Sequence, residues 1–231
     1  MKIGILKTGE TPAELIEEFG SYPEMFEQLL DGHGFSFASY NVESGEFPQS
    51  CLDCDGWLIT GSRHGVYDGF AWIEKLEEFI RQAWTSKVPM AGICFGHQIM
   101  AQALGGRAEK FSGGWSVGQQ QYELPNGGSI TLNAMHQDQV TLCPPDAKTI
   151  ATSQFCEFAA LSYGDIGISF QAHPEYSNVF ERELIKLRAG TVVPEELAQA
   201  ALSSFQHQND NAVIAGQIAQ FFLAAARHKA A

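Results

Sequence analysis

The chain has 231 residues, 45% of them apolar, and its formal net charge at pH 7 is −13. This length and apolar content are enough to bury the core of one larger α/β domain. The acidic excess argues against nucleic acid or an anionic membrane surface as the main partner. No apolar run approaches the length of a membrane span, and residues 1–6 indicate a first strand instead of a signal peptide.

The cysteines point to a reducing compartment. There are five of them, an odd number, and they are scattered along the chain. This pattern does not suit a disulfide framework, so we expect a cytoplasmic protein. Cys51 and Cys54 have C-x-x-C spacing, but no second Cys or His pair follows at the spacing of a zinc site. We therefore predict no metal site, and we expect no cofactor.

Strand and helix patterns alternate over roughly the first hundred residues. Strands are predicted at 2–7, 35–42, 56–60 and 88–91, and helices at 11–30, 71–85 and 99–104. Apolar residues in segment 71–85 recur at the spacing of an amphipathic helix. Such alternation predicts an α/β fold with an open, mostly parallel twisted sheet covered by helices on both faces.

The pattern changes after residue 108. Shorter strands are predicted at 119–124, 129–132, 139–142, 149–153 and 159–162, with an Asn-Gly-Gly hairpin turn at 126–128. We expect these strands to form an antiparallel extension. Residues 166–171 return to a core strand, and the remainder from 177 to 227 is predicted to be helical.

A cysteine between two glycines marks a candidate nucleophile. Cys94 follows the predicted strand at 88–91, is flanked by Gly92 and Gly96, and precedes a helical pattern. The N-terminus of such a helix favours the thiolate over the thiol. The arrangement predicts a nucleophile elbow with sulfur in place of serine. The alternative is a buried structural cysteine beside a Gly-rich turn.

A histidine and a carboxylate follow the last core strand. A thiol nucleophile needs a base, usually imidazole, and the base needs a third group to orient it. Side chains two positions apart on a strand point the same way, so Glu175 can lie beside His173. An isolated His-Pro-Glu sequence favours an ordinary surface histidine beside an exposed glutamate. Because Cys94 supplies a nucleophile, we interpret His173 and Glu175 as the other two members of a catalytic triad. His97, within the elbow, is a weaker candidate for the base.

The sequences GICFGHQ at 92–98 and FQAHPE at 170–175 together resemble the class I, triad-type glutamine amidotransferase family. The resemblance covers about residues 1–175 and leaves 176–231 as a helical C-terminal extension of a single domain, 1–231. It implies a flavodoxin-like fold. It also implies that Cys94 attacks the side-chain amide of glutamine, forms a γ-glutamyl thioester and releases ammonia, with His173 as base and Glu175 as orienter.

The same resemblance implies further site residues. The backbone N–H groups of Gly61 and Phe95 would form the oxyanion hole, and Gln98 would bind the substrate. The family's oxyanion loop commonly contains a proline that the sequence at 60–65 lacks. Segments 135–140 and 114–118 would hold the ends of the substrate and form the facing wall, although ordinary turns remain the alternative. The substrate-binding candidates there are His136, Gln137, Asp138 and Ser116.

Three functions are compatible with these residues. The chain has no nucleotide-binding G-x-x-x-x-G-K-[ST] or G-x-G-x-x-G motif, so the sequence does not identify an acceptor for the ammonia. It does not indicate the oligomeric state either. The first hypothesis is an amidotransferase subunit that passes ammonia to an unidentified partner synthetase, and the second is a stand-alone γ-glutamyl hydrolase or peptidase that uses water. The third hypothesis is a catalytically silent regulatory or binding module, against which the intact triad argues.

Overall fold

The computed structural model describes the backbone of residues 1–230 and the side chains of residues 1–227, so residue 231 of the predicted helical extension lies outside the described residues. Its strands are β1 (Lys2–Lys7), β2 (Ser36–Asn41), β3 (Gly56–Ile59), β4 (Met90–Ile93), β5 (Arg107–Lys110), β6 (Ser116–Glu123), β7 (Ser129–His136), β8 (Asp138–Leu142), β9 (Lys148–Ala151), β10 (Ala160–Tyr163) and β11 (Gly167–Phe170). Its helices are α1 (Ala13–Phe19), α2 (Tyr22–Leu29), α3 (Ala71–Thr85), α4 (Phe95–Ala103), α5 (Asn178–Arg188), α6 (Glu195–Leu202) and α7 (Asn211–Ala230).

A seven-stranded sheet in the order β2-β1-β3-β4-β11-β10-β9 forms the centre of the fold. Strands β2, β1, β3, β4 and β11 are parallel to their neighbours, and β10 and β9 continue the sheet in antiparallel pairing. The predicted open, mostly parallel sheet is therefore confirmed. Because the carboxyl ends of parallel strands share one edge, the loops after β3, β4 and β11 meet there.

Both faces of the sheet are covered, because successive side chains of a strand point to opposite faces. Ile5 of β1 belongs to a buried cluster that includes α7, whereas Leu6 belongs to a second cluster that includes α3 and α4. The last helix is thus part of the core: Ile218 and Phe222 are fully buried against the first face. In residues 1–227, no helix combines the length and apolar character needed to cross a bilayer.

Two predictions of local structure were wrong in detail. The single helix expected at 11–30 is broken into α1 and α2, because Gly20 adopts a φ of 79° and Ser21 forms a capping box with Glu24 at the start of α2. The antiparallel extension is also divided. Strands β9 and β10 join the main sheet, β6 and β7 form a separate hairpin around the turn at 126–128, and β8 pairs with β5, a strand that the sequence pattern did not indicate.

Candidate active site

Cys94 lies at a sharp bend between β4 and α4. Its φ of 54° and ψ of −104° are rarely adopted by a residue other than glycine. The bend is held by two backbone hydrogen bonds: the Cys94 N–H donates to the Phe170 carbonyl at 2.8 Å, and the Gln98 N–H donates to the Cys94 carbonyl at 3.0 Å. Strained backbone of this kind is characteristic of functional sites and of nucleophile elbows.

The glycines on either side of the bend are required by close packing. A Cβ atom on Gly92 would lie 2.5 Å from the Gly96 carbonyl oxygen, and one on Gly96 would lie 2.2 Å from the Ile59 carbonyl oxygen. Neither distance is possible between non-bonded atoms. The glycines therefore allow the first turn of α4 to pack directly on the ends of β3 and β4, which brings its N-terminus to Cys94.

His173 and Glu175, which follow β11, form a buried pair. His173 Nδ1 lies 2.7 Å from Glu175 Oε1, and the two side chains are only 3% and 1% exposed. The Tyr176 ring stacks on the imidazole with a centroid distance of 4.0 Å and an interplanar angle of 3°. The backbone N–H of His173 also donates a hydrogen bond to the Asn133 carbonyl of β7 at 2.9 Å. The imidazole is thus fixed in position and orientation.

Cys94 lies beside the imidazole of His173, since a Cβ atom built on Gly61 would be within 4 Å of both side chains, so the three predicted residues lie together. Burial lowers the pKa of His173. The Glu175 carboxylate, with a contribution from Cys94, outweighs burial and raises this pKa well above its ordinary value. The arrangement favours a positively charged imidazole beside the sulfur.

The loop after β3 brings Gly61 against this pair. A Cβ atom on Gly61 would lie 3.0 Å from His173 Cε1 and 3.7 Å from Cys94 Cβ. In place of the missing proline, Thr8 of the β1 loop fixes the segment: its N–H donates to Thr60 Oγ1 at 3.0 Å, and its hydroxyl lies 3.0 Å from the Gly61 carbonyl oxygen. In the described part of the chain, no hydrogen bond engages the N–H group of Gly61 or Phe95.

Gln98 links the cysteine to the turn between β7 and β8. Its amide donates to the Asp138 carbonyl at 2.9 Å and to Gln171 Oε1 at 3.2 Å, and Gln171 Nε2 in turn lies 3.7 Å from Cys94 Sγ. Sequence reasoning missed Gln171 as a site residue. Its position two residues before His173, on the same side of the extended segment, was the signal that could have identified it.

The turn between β7 and β8 borders the site, and His136, Gln137 and Asp138 line the same cavity as Cys94. His136 is buried, and burial lowers its pKa to about 4, so its imidazole is neutral at pH 7. Asp138 accepts a hydrogen bond of 2.7 Å from the hydroxyl of Tyr67, a residue that sequence reasoning also missed. Burial raises the pKa of this carboxyl. Tyr67 thereby connects the loop after β3 to the β7–β8 turn.

These groups surround a cavity of about 750 Å³ that opens to the surface. The residues of the predicted site that line it are Gly61, Cys94, Gln98, His136, Gln137, Asp138 and His173. Ser116, which was predicted to bind substrate, does not line it. Ser116 is buried in β6 opposite His136, whereas its neighbour Trp115 lines the cavity.

His97 takes no part in this cluster. It is fully buried in α4, its Nδ1 lies 2.8 Å from Ser169 Oγ, and burial lowers its pKa to about 3. It is therefore a neutral core residue, which agrees with its low rank as a candidate base. In residues 1–227, no group of three or more His, Cys, Asp or Glu side chains is arranged to hold a metal ion.

Comparison with known families decides the affiliation. The family model described as glutamine amidotransferase class-I matches residues 15–188, about three quarters of the chain. The chain belongs to this family. The match extends beyond the predicted limit near residue 175 and includes α5. The predicted family resemblance is thus confirmed from the nucleophile elbow through the His-Pro-Glu segment.

The relatives of this chain include proteins named as gamma-glutamyl peptidases and as GMP synthase subunits. Gamma-glutamyl peptidase 4 of Arabidopsis thaliana is 29% identical and covers 81% of each chain. One subunit of the glutamine-hydrolysing GMP synthase of Archaeoglobus fulgidus is 38% identical over 74% of this chain and 93% of that one. A crystal structure of a glutamine amidotransferase from Methylobacillus flagellatus has the same fold, with a TM-score of 0.74, 22% identity, and coverage of 97% of this chain and 92% of that one.

Proposed function

We propose that this class I amidotransferase hydrolyses γ-glutamyl amide bonds, with Cys94 as nucleophile, His173 as base and Glu175 as the group that orients the base. The observation that carries this proposal is the juxtaposition of the three side chains at a solvent-accessible cavity, with the cysteine at the N-terminus of α4. A catalytically silent binding module would not need a strained cysteine beside a charged, rigidly held imidazole.

The chemistry proceeds in two steps. The Cys94 sulfur attacks the γ-carbonyl carbon, and the resulting oxyanion is stabilised by the backbone N–H groups of Gly61 and Phe95. When the C–N bond breaks, His173 donates a proton to the departing amine and a γ-glutamyl thioester remains on Cys94. His173 then takes a proton from water, whose oxygen attacks the thioester carbon. The C–S bond breaks and releases glutamate, and the Cys94 sulfur and the protonated His173 return to their starting state.

The size of the cavity favours a substrate larger than glutamine. Its volume of about 750 Å³ lies in the range of pockets that enclose drug-sized ligands, and a free amino acid fills only part of it. We therefore propose a γ-glutamyl peptide as substrate and water as acceptor, in line with the name of the Arabidopsis relative. Gln98, His136, Gln137 and Asp138 would bind the glutamyl part, since they line the cavity beside Cys94.

The second candidate is release of ammonia from glutamine for a separate partner synthetase. The Archaeoglobus relative, which is named as part of a GMP synthase, favours it. Under either candidate we propose that residues 1–231 act as a single cytoplasmic domain without a cofactor. The packing of α7 into the core beneath the sheet supports the single domain.

Turnover by the purified protein on glutamine, γ-glutamyl dipeptides and γ-glutamyl anilides separates the candidates. We expect turnover of dipeptides to exceed that of glutamine, and Cys94→Ala to abolish all turnover while leaving thermal stability nearly unchanged. Cys143→Ala, which removes a partly exposed cysteine remote from the cavity, is the matched control and should retain full activity. Full activity of Cys94→Ala would refute the proposed nucleophile, and turnover restricted to glutamine would favour the second candidate.

A further inference from the structure

The wall of the cavity formed by α2 and α5 carries a positive charge for which residues 1–227 supply no ion-pair partner. Arg188, the last residue of α5, lines the cavity together with Tyr22 of α2 and Val192 of the following turn. Within residues 1–227, its guanidinium forms no ion pair. In a chain with 27 acidic and 14 basic residues, an unpaired arginine facing a cavity points to a negative charge supplied by a ligand.

Two other cations border the cavity, and both are near carboxylates. Arg63 is largely exposed and lies 3.7 Å from Glu43. Lys110 is close enough to Asp138 that its charge acts to lower the pKa of that carboxyl, against the larger opposing effect of burial. Arg63 is therefore paired with a carboxylate. Lys110, like Arg188, forms no ion pair within residues 1–227, but its charge acts on a carboxyl of the β7–β8 turn.

The backbone at Arg188 is firmly anchored, so the side chain projects from a fixed point. Its carbonyl accepts hydrogen bonds from the N–H groups of Val192 and Val193, both at 3.1 Å, and from the Thr191 hydroxyl at 3.0 Å. These bonds close the turn after α5. They use the backbone of Arg188 and leave its guanidinium available to a ligand.

Two aromatic rings connect this wall to the triad. Tyr22 packs against Tyr176 with a centroid distance of 6.0 Å, and Tyr176 stacks on His173. Burial raises the pKa of Tyr22 to about 12, and the nearby Arg188 charge acts in the opposite direction. Arg188 therefore faces the same cavity as the reacting groups, but the two rings separate it from the imidazole.

We propose that Arg188 binds the carboxylate of the amino acid or peptide that leaves when the γ-glutamyl bond is cleaved. The inference rests on the proposed function and specifies its substrate class: γ-glutamyl peptides with a free C-terminal carboxylate. A guanidinium matches a carboxylate with two parallel hydrogen bonds. The glutamyl part of the substrate would contact Gln98 and the β7–β8 turn. We place the leaving amino acid or peptide against the wall formed by α2 and α5, which does not include those groups.

The test compares Arg188→Gln with the parent on three substrates: γ-glutamylalanine, the same dipeptide with an amidated C-terminus, and a γ-glutamyl anilide. We expect KM for the free acid to rise about tenfold to a hundredfold with kcat unchanged, because a charged hydrogen bond remote from the reacting atoms is lost. KM for the amide and the anilide should stay the same. Arg188→Lys should restore part of the affinity for the acid. Lys186→Gln is the control, since Lys186 lies on the exposed face of α5 and pairs with Glu183.

Binding measured in the Cys94→Ala background separates this inference from the proposed reaction. Calorimetry should show that γ-glutamylalanine binds more tightly than its amide, and that Arg188→Gln removes the difference. If this holds but the active protein cleaves no dipeptide, only the proposed reaction is wrong. The inference would be overturned if Arg188→Gln raised KM equally for the acid, the amide and the anilide, or raised it for none of them. It would also be overturned if Cys94→Ala did not bind the acid. Unchanged turnover of the anilide also shows that Arg188→Gln is folded.

Discussion

Replacing Glu175 by glutamine tests the electrostatic basis of the site. The glutamine keeps an oxygen near His173 Nδ1, which lies 2.7 Å from Glu175 Oε1, but removes the negative charge. Burial lowers the pKa of His173 and this charge is the largest of the effects that raise it, so the substitution should lower that pKa and favour the neutral imidazole. In Ser-His-Asp triads the corresponding change lowers kcat about 10⁴-fold, and we expect a loss of that order here.

The effect on stability has a defined dependence on pH. Because the pKa of folded His173 lies above its value near 6.5 in the unfolded chain, its contribution is fully present below about pH 6.5 and is lost as pH rises through the folded-state pKa. Removing one partner of a buried ion pair costs about 3–5 kcal/mol, and the retained amide oxygen places Glu175→Gln near the lower value. The stability difference from the parent should therefore be largest in acid and shrink with increasing pH.

The assays are pH–rate profiles on a γ-glutamyl anilide and denaturant unfolding at several pH values. His173→Ala should lose more activity than Glu175→Gln, about 10⁶-fold by comparison with triad histidines. Glu183→Gln is the matched carboxylate-to-amide control, because Glu183 forms only an exposed pair with Lys186 and should contribute less than about 1 kcal/mol. If Glu175→Gln retained parental turnover, or if the stability difference grew with pH, the reasoning would be refuted.

Two glycine substitutions give opposite expectations. Gly61→Ala should lower kcat/KM about 100-fold, because the added methyl would lie 3.0 Å from His173 Cε1. The imidazole ring is held by Glu175 and Tyr176 and cannot move away. Parental kinetics on the anilide would contradict this expectation. Gly216→Ala should raise the unfolding free energy by about 1 kcal/mol without changing activity, because nothing lies within 4 Å of the added methyl inside α7. An unchanged or lower melting temperature in Gly216→Ala would count against that packing.

Much of the fold and the central site residues followed from the sequence for local reasons. Alternating strand and helix patterns depend on the periodicity of apolar residues along the chain, and α3 has the predicted limits at residues 71 and 85. The cysteine between glycines and the His-Pro-Glu segment are short motifs at strand ends, so the parallel sheet brings them to one edge. Helix α1 was merged with α2 because the break depends on one glycine conformation and one capping box.

What the tertiary structure decided involves partners that are far apart in sequence. The pairing of β8 with β5, the link from Gln98 to Gln171, and the contact of Tyr67 with Asp138 join residues separated by 28 to 73 positions, and nothing local indicates them. The sequence alone thus determined the chemical groups and the type of sheet. The shape and charge of the cavity around those groups, including Arg188, which is unpaired within residues 1–227, arise only when distant elements pack together.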